Sequence, residues 1–171
     1  MPIVPDEKDW TWVLDEVCPE CGFDTATVDR DELASRIART TDAWRAILVR
    51  HDVRERPNES TWSPLEYACH VRDVHRVYAG RVGRMLAEDD PHYDNWDQDA
   101  TAVEEGYAEQ DPATVARELA AAGSTLGDLF AGVDGPSWDR TGRRSDGASF
   151  TVDSIGRYYL HDIEHHIWDV R

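Results

Sequence analysis

Positive charge is scarce in this sequence. Its 171 residues include 18 basic and 35 acidic side chains, giving a formal net charge of −17, and Lys8 is the only lysine. Nucleic acids and anionic membrane surfaces repel such a chain unless a local basic stripe offsets the net charge. The densest basic stretch, "TGRRSDG", contains two adjacent arginines. We therefore expect no nucleic acid and no membrane as a partner, and a small molecule as the substrate.

Long apolar runs and a recognisable targeting signal are also missing. No segment approaches the roughly 18 consecutive apolar residues of a membrane-spanning helix, and "MPIVPDEKDW" lacks the basic and apolar regions of a signal peptide. Cysteine is rare as well, with Cys18, Cys21 and Cys69 alone. An odd number of cysteines without a secretion signal indicates reduced thiols and predicts a cytoplasmic protein.

Helical periodicity marks four long segments of the chain, at residues 29–52, 63–88, 112–131 and 151–171. The second has the clearest start, because Ser63, Pro64 and Glu66 form a capping-box pattern. We predict an all-α, antiparallel four-helix bundle over residues 29–171, preceded by an N-terminal extension over 1–28 that carries a CxxC turn. The acidic connection 88–111 is long enough to cross the bundle or to cover one of its ends.

Histidine is concentrated near the C-terminus, in "YYLHDIEHHIWDV". His161 and His165 are four residues apart, so they share a helix face and can chelate one ion. His70, on the second predicted helix, lies on a core-facing stripe and is the best candidate for a third ligand. The sequence therefore predicts a metal site formed by His70, His161 and His165, with positions left for water. His166 points about 100° away from His165 and is expected at the surface or behind the ligands.

Other residues near these histidines are candidates for supporting roles. Glu66, Asp73 or Asp162 could orient the imidazole rings. Arg157 could hold a substrate carboxylate, although a salt bridge to a local acid is an equal alternative. The stretch "HDIEH" also differs by one methylene from the HExxH of zinc peptidases, which makes Asp162 a candidate general base.

The stretches "WSPLEYACHVRDV" and "YYLHDIEHHIWDV" together resemble the DinB-like superfamily, which includes metal-dependent thiol S-transferases and the metal-binding domain of mycothiol-dependent maleylpyruvate isomerase. The resemblance covers roughly residues 29–171. It implies a four-helix bundle in which His70, His161 and His165 hold a divalent ion. It also implies a homodimer, since family members are often dimers, and the activation of a low-molecular-weight thiol. Zinc or nickel would suit these ligands, and mycothiol is a plausible co-substrate.

The cysteine pair in "CPECG" is half of a zinc knuckle. Cys18 and Cys21 could be a structural turn, two ligands of a second metal completed by a histidine such as His51 or His92, or a redox pair. Cys69 is expected to be a small core residue.

Two classes of function remain compatible with these patterns. The first is a metal-dependent transferase that activates a thiol, with hydrolysis by metal-activated water as a variant. The second is a non-catalytic bundle that binds a metal or a small ligand.

Overall fold

The structure, a computed structural model, describes Ile3 and residues 8–171. Its α-helices are α1 Leu33–Ile47, α2 Pro64–Ala87, α3 Gln98–Glu104, α4 Pro112–Ala131 and α5 Val152–Asp169. Its strands are β1 His92–Tyr93, β2 Thr141–Arg144 and β3 Ser149–Thr151. Short 3-10 turns lie at Thr11–Leu14, Thr25–Thr27, Arg30–Glu32, Tyr107–Glu109 and Gly135–Asp139.

Local capping explains where the long helices begin. The hydroxyl of Ser63 accepts a hydrogen bond from the backbone N–H of Glu66 at 3.3 Å, and the Glu66 carboxylate accepts one from the N–H of Ser63 at 2.8 Å. Thr151 and Ser154 form the same reciprocal box at the start of α5. Each box satisfies backbone donors that a helix leaves without partners at its N-terminus, which fixes the start to one residue.

The four long helices pack around a common core. Helix α4 lies against α1 and α2, and α5 lies against the same two helices from the other side. Large side chains such as Trp44, Leu65 and Tyr159 are fully buried between them. The mostly helical architecture agrees with the prediction, although α1 is shorter than the predicted 29–52 at both ends. Its expected first turn is a 3-10 turn over Arg30–Glu32, and turns replace the helix after Ile47.

A small sheet corrects the all-α expectation. Strand β1 belongs to the acidic connection 88–111 and pairs in parallel with β2, which forms an antiparallel hairpin with β3. Strand β3 leads directly into α5 at Thr151. The connection is therefore hydrogen-bonded to the segment that begins the last helix.

The N-terminal extension packs on α5. The turns Thr11–Leu14 and Thr25–Thr27 both contact this helix. Arg157 of α5 donates hydrogen bonds to the carbonyl oxygens of Thr25 and Val28 at 2.7 and 2.5 Å. These contacts bring Cys18 and Cys21 onto α5. No helix of the described part of the chain combines the length and apolarity needed to span a membrane.

Candidate metal centres

Two clusters of ligand-type side chains lie on neighbouring faces of α5. Each contains two α5 residues that are four positions apart: His161 with His165, and Asp162 with His166. The two pairs are offset by one residue, so they point about 100° apart around the helix axis. We call the groups the Cys2His2 cluster (Cys18, Cys21, His161 and His165) and the His2Asp cluster (His70, Asp162 and His166).

The Cys2His2 cluster joins the N-terminal extension to α5. One ligand atom from each of its four residues lies within 4.8 Å of every other. The Sγ of Cys18 is 3.7 Å from Nδ1 of His165. Cys18, His161 and His165 are buried and Cys21 is partly exposed. Four mutually close Cys and His side chains are the donor set of a structural zinc site.

Burial governs the protonation of this cluster. It lowers the pKa of His161 to about 4 and also lowers the pKa of His165, so both imidazoles are neutral at pH 7. Burial likewise raises the pKa of the Cys21 thiol to about 11. Neutral imidazole is the form that ligates a metal, whereas the thiols must lose their protons to an incoming cation.

The His2Asp cluster joins α2 to α5. Oδ1 of Asp162 lies 3.0 Å from Nε2 of His166 and 3.5 Å from Nε2 of His70. Despite this proximity, Oδ1 of Asp162 and both ring nitrogens of His70 are buried without a well-formed hydrogen bond among the described residues. An unsatisfied buried polar group costs about 1–3 kcal/mol. Ligand atoms that approach each other without hydrogen-bond geometry fit a site built around a cation.

Charge is distributed differently in this second cluster. Burial disfavours the charged form of His166, but contacts with Asp162 and Asp169 outweigh that effect and raise its pKa to about 9. Burial would raise the pKa of Asp162, but His166 and His70 hold it well below its ordinary value. At pH 7 an imidazolium therefore neutralises the Asp162 carboxylate, and a metal ion would have to displace its proton.

Aromatic rings surround the His2Asp cluster. The ring of Trp96 stacks on His70 at 5.4 Å with an interplanar angle of 6°, and the ring of Trp62 lies 5.3 Å from His70. The ring of Tyr67 packs on His166 at 5.0 Å. Trp96 comes from the acidic connection, which therefore packs over His70. These contacts fix the imidazole planes and keep the surroundings apolar.

The structure divides the predicted ligand trio between the two clusters. His161 and His165 do face one centre, but their companions are Cys18 and Cys21, and His70 lies instead with Asp162 and His166. The physical reason is the rotation of α5 about its own axis. The face that carries His161 and His165 is covered by the N-terminal extension, and the neighbouring face, which carries Asp162 and His166, meets α2. His166, expected at the surface or behind the ligands, lies in the His2Asp cluster.

The residues expected to support the ligands have other partners. Glu66 accepts hydrogen bonds from Ser63 and Arg56, and Asp73 accepts them from Arg72, Arg76 and Tyr107. Arg157 forms a salt bridge with Asp153 at 2.9 Å, which was the alternative to substrate binding. Cys69 is fully buried, as expected.

Sequence reasoning overlooked the second ligand pair of α5. Asp162 and His166 are four residues apart, like His161 and His165, and this second pair within "HDIEHH" was the signal in the sequence that could have revealed them. Trp96 carried no such signal, because its contact with His70 depends on the path of the acidic connection.

Comparison with known proteins agrees with this architecture. The sequence pattern that defines the DinB superfamily matches residues 50–170. The chain belongs to the DinB superfamily. The matched region contains α2, α5 and the whole His2Asp cluster, whereas Cys18 and Cys21 lie outside it.

A solved structure with a similar fold is YfiT from Bacillus subtilis, described as a probable metal-dependent hydrolase with an unusual four-helix bundle topology. The two share 15% sequence identity with a TM-score of 0.67, and the match covers 98% of this chain and 89% of YfiT. At this identity the likeness establishes the fold, a four-helix bundle. No functionally curated protein matches the chain.

Proposed function

We propose that this protein is a metal-dependent hydrolase whose divalent ion is held by His70, Asp162 and His166. The observation that carries the proposal is the convergence of these three ligand atoms within 4.8 Å, where the buried ring nitrogens of His70 find no hydrogen-bond partner among the described residues. Two histidines and one carboxylate leave coordination positions that the protein does not fill, as in catalytic rather than structural sites. A divalent ion bound there would act as a Lewis acid and lower the pKa of a coordinated nucleophile.

The surrounding residues position the ligands. Nδ1 of His166 lies 2.7 Å from Oδ2 of Asp169, so this carboxylate orients the ring and leaves Nε2 directed toward Asp162. Trp62 and Trp96 hold the ring of His70 from two sides. Zinc and nickel both accept imidazole and carboxylate ligands, and we propose one of them as the ion.

The proposed substrate is an uncharged or weakly polar electrophile, such as an ester or amide. Trp62, Tyr67 and Trp96 supply flat apolar surfaces beside the ligands. Such walls favour an apolar substituent and exclude bulk water, which strengthens electrostatic effects near the ion.

A second candidate is transfer of an electrophilic group to a low-molecular-weight thiol such as mycothiol. Two residues of "WSPLEYACHVRDV", part of the resemblance to the superfamily that includes thiol S-transferases, support it, because His70 belongs to the His2Asp cluster and Trp62 packs on its ring. A coordinated thiol would lose its proton at neutral pH and become the nucleophile in place of water.

Activity assays on metal-loaded protein test the proposal and separate the two candidates. Nitrophenyl esters and anilides report hydrolysis without a thiol, and 1-chloro-2,4-dinitrobenzene with mycothiol or cysteine reports thiol transfer. We expect thiol-independent hydrolysis that a chelator removes and that Asp162→Asn lowers by about 100-fold or more. Asp153→Asn is the matched control, because Asp153 is also on α5 and similarly exposed but pairs with Arg157.

Other results decide between the alternatives. Turnover that requires the thiol and disappears in Asp162→Asn would replace the hydrolase with the transferase. Stoichiometric metal that depends on Asp162, with no turnover in either assay, would support a non-catalytic binding bundle. Equal activity of Asp162→Asn and the wild type would remove this cluster from the function.

A further inference from the structure

The Cys2His2 cluster is separate from the site proposed for catalysis and differs from it in composition. Its two cysteines come from the N-terminal extension and its two histidines from α5. We propose that Cys18, Cys21, His161 and His165 bind one zinc ion that fastens the N-terminal extension to the last helix. This ion has a structural role and takes no part in the reaction at the His2Asp cluster.

The cysteine side of the site is a preformed turn. The N–H of Gly22 donates to the carbonyl oxygen of Cys18 at 2.9 Å, and the N–H of Cys18 donates to that of Phe23 at 2.8 Å. Gly22 has φ +76°, a left-handed conformation that suits glycine. The turn folds the chain back within six residues, 18–23, so both thiols are presented on the same side, toward α5.

The histidine side is equally preorganised. His161 and His165 are one helical turn apart on α5, and their ring centroids are separated by 5.1 Å. With Zn–S near 2.3 Å and Zn–N near 2.05 Å, a tetrahedral ion places sulfur and nitrogen ligands about 3.6 Å apart. The observed distance from Cys18 Sγ to His165 Nδ1, 3.7 Å, matches that value.

Burial makes an empty cluster costly. Cys18, His161 and His165 are 1%, 4% and 7% exposed, and Nε2 of His161 has no hydrogen-bond partner among the described residues. The rings of Trp10 and Phe23 pack on His161 at 5.6 and 5.4 Å and shield it from water. A coordinated cation would satisfy a nitrogen that neither protein nor solvent reaches.

The donor set selects both the metal and its role. Two thiolates with two imidazoles favour zinc, and four protein ligands complete a tetrahedral shell without a position for substrate. Nε2 of His165 lies 3.3 Å from Oε2 of Glu20 and 3.7 Å from Oδ1 of Asp169. These carboxylates are placed to hold the ring while Nδ1 faces Cys18.

Binding would form two Zn–S and two Zn–N bonds and release the two thiol protons to solvent. The principal alternative is a disulfide between Cys18 and Cys21. That bond would use both sulfurs but leave the buried nitrogen of His161 without a partner, so the geometry favours the ion.

Cobalt titration of the full-length, reduced apoprotein tests the proposal. Only a site that contains thiolates gives intense sulfur-to-cobalt charge-transfer absorption, so the His2Asp cluster is silent in this measurement. We expect one equivalent of cobalt to produce the absorption and zinc to displace it. The Cys18→Ser, Cys21→Ser double variant should lose it, whereas Asp162→Ala and the Cys69→Ser control should retain it.

Alkylation of the wild-type chain provides a second measurement that does not depend on the stability of the double variant. Zinc should slow the modification of Cys18 and Cys21 by roughly tenfold or more. Cys69, buried on α2 outside both clusters, serves as the internal reference, because any slowing that it shows reports general stabilisation of the fold, and the slowing of Cys18 and Cys21 should exceed it. The proposal is overturned if the wild type gives no thiolate absorption, if zinc protects neither cysteine, or if the reduced chain retains the absorption without them. Failure of the proposed hydrolase leaves these readouts unchanged.

Discussion

The two ligand clusters share one helix and differ in their donor atoms, in the segment that packs against α5 and in their charge. The Cys2His2 cluster contains four ligand-type side chains that the N-terminal extension and α5 supply jointly, and the His2Asp cluster contains three from α2 and α5. Helix α5 contributes an i, i+4 pair to each. The comparison shows that the same local spacing gathers four or three ligand-type side chains according to the segment that packs against it.

The clusters also differ in charge. His161 and His165 are neutral at pH 7 because burial lowers the pKa of each. His166 is protonated, because Asp162 and Asp169 raise its pKa to about 9 against the effect of burial. A cation that enters the first cluster displaces thiol protons, whereas one that enters the second displaces an imidazolium proton.

The largest predicted effect is a loss of zinc affinity at one cluster that leaves the other cluster unchanged. Asp162→Ala removes a ligand of the His2Asp cluster, so its affinity for zinc should fall by more than about 100-fold. The cobalt–thiolate absorption of the Cys2His2 cluster should not change. Competition with a chromophoric zinc chelator measures the first quantity, and Asp153→Ala is the control for loss of a carboxylate from α5.

A smaller effect should appear in both clusters at once. Asp169 lies 2.7 Å from Nδ1 of His166 through one oxygen and 3.7 Å from Nε2 of His165 through the other. Asp169→Asn weakens the orientation of both rings, so we expect both zinc affinities to fall by about 10–100-fold. A loss confined to one cluster in the same zinc titrations would contradict the shared role.

Glu66 should affect stability and neither cluster. Burial opposes its ionisation, but hydrogen bonds from Arg56 and Ser63 outweigh burial and hold its pKa below the ordinary value. Ionised Glu66 therefore stabilises the fold above its unfolded pKa of about 4.3, and that stabilisation is lost as the pH falls through the lower folded pKa. Glu66→Gln should lower the free energy of unfolding by about 1–3 kcal/mol at pH 7.

Urea unfolding at a series of pH values measures this effect. The stability of Glu66→Gln should decline less than that of the wild type as the solution is made more acidic. Parallel curves of stability against pH for the variant and the wild type would show that Glu66 contributes nothing to the acid dependence. A changed zinc affinity of Glu66→Gln would show that Glu66 supports the ligands after all.

The smallest predicted effect concerns Asp73, also expected from the sequence to support the ligands. Tyr107 donates a hydrogen bond to Asp73 at 2.6 Å, and Arg72 and Arg76 pair with the same carboxylate. Tyr107→Phe should cost about 1 kcal/mol of unfolding free energy. Zinc affinity at both clusters should stay at the wild-type value, as calorimetric titration would show.

Local signals predicted the helices well. The starts of α2, α4 and α5 follow from Ser63, Asp111 and Thr151, because a cap depends on residues within one turn. The Gly- and Asp-rich stretch after α4 is itself typical of a loop or short hairpin, so the hairpin β2–β3 was predictable. The pairing of β1 with β2 was not, because it joins residues about 50 positions apart and no local pattern encodes that register.

The site was predicted in its residue types more than in its grouping. Histidine spacing predicted candidate ligands on α5, and "CPECG" offered a second metal as one of three interpretations. The rotation of α5 relative to α2 decides whether His70 meets one pair or the other, and a shift of one residue changes the answer. The path of residues 8–28 decides which histidines Cys18 and Cys21 reach, and periodicity carries no information about it.

The small sheet bears on how a substrate could approach His70. Strand β1 precedes Trp96 by a few residues and is paired with β2, while β3 continues into α5. The cover over His70 and the helix that carries Asp162 therefore belong to one hydrogen-bonded unit. Swinging the whole connection outward would break backbone hydrogen bonds and strain the first turn of α5. Rotation of the Trp96 side chain would break one side-chain hydrogen bond, from Nε1 to Oγ1 of Thr101, and the stacking on His70, but no backbone hydrogen bond, which makes a single indole the less costly gate.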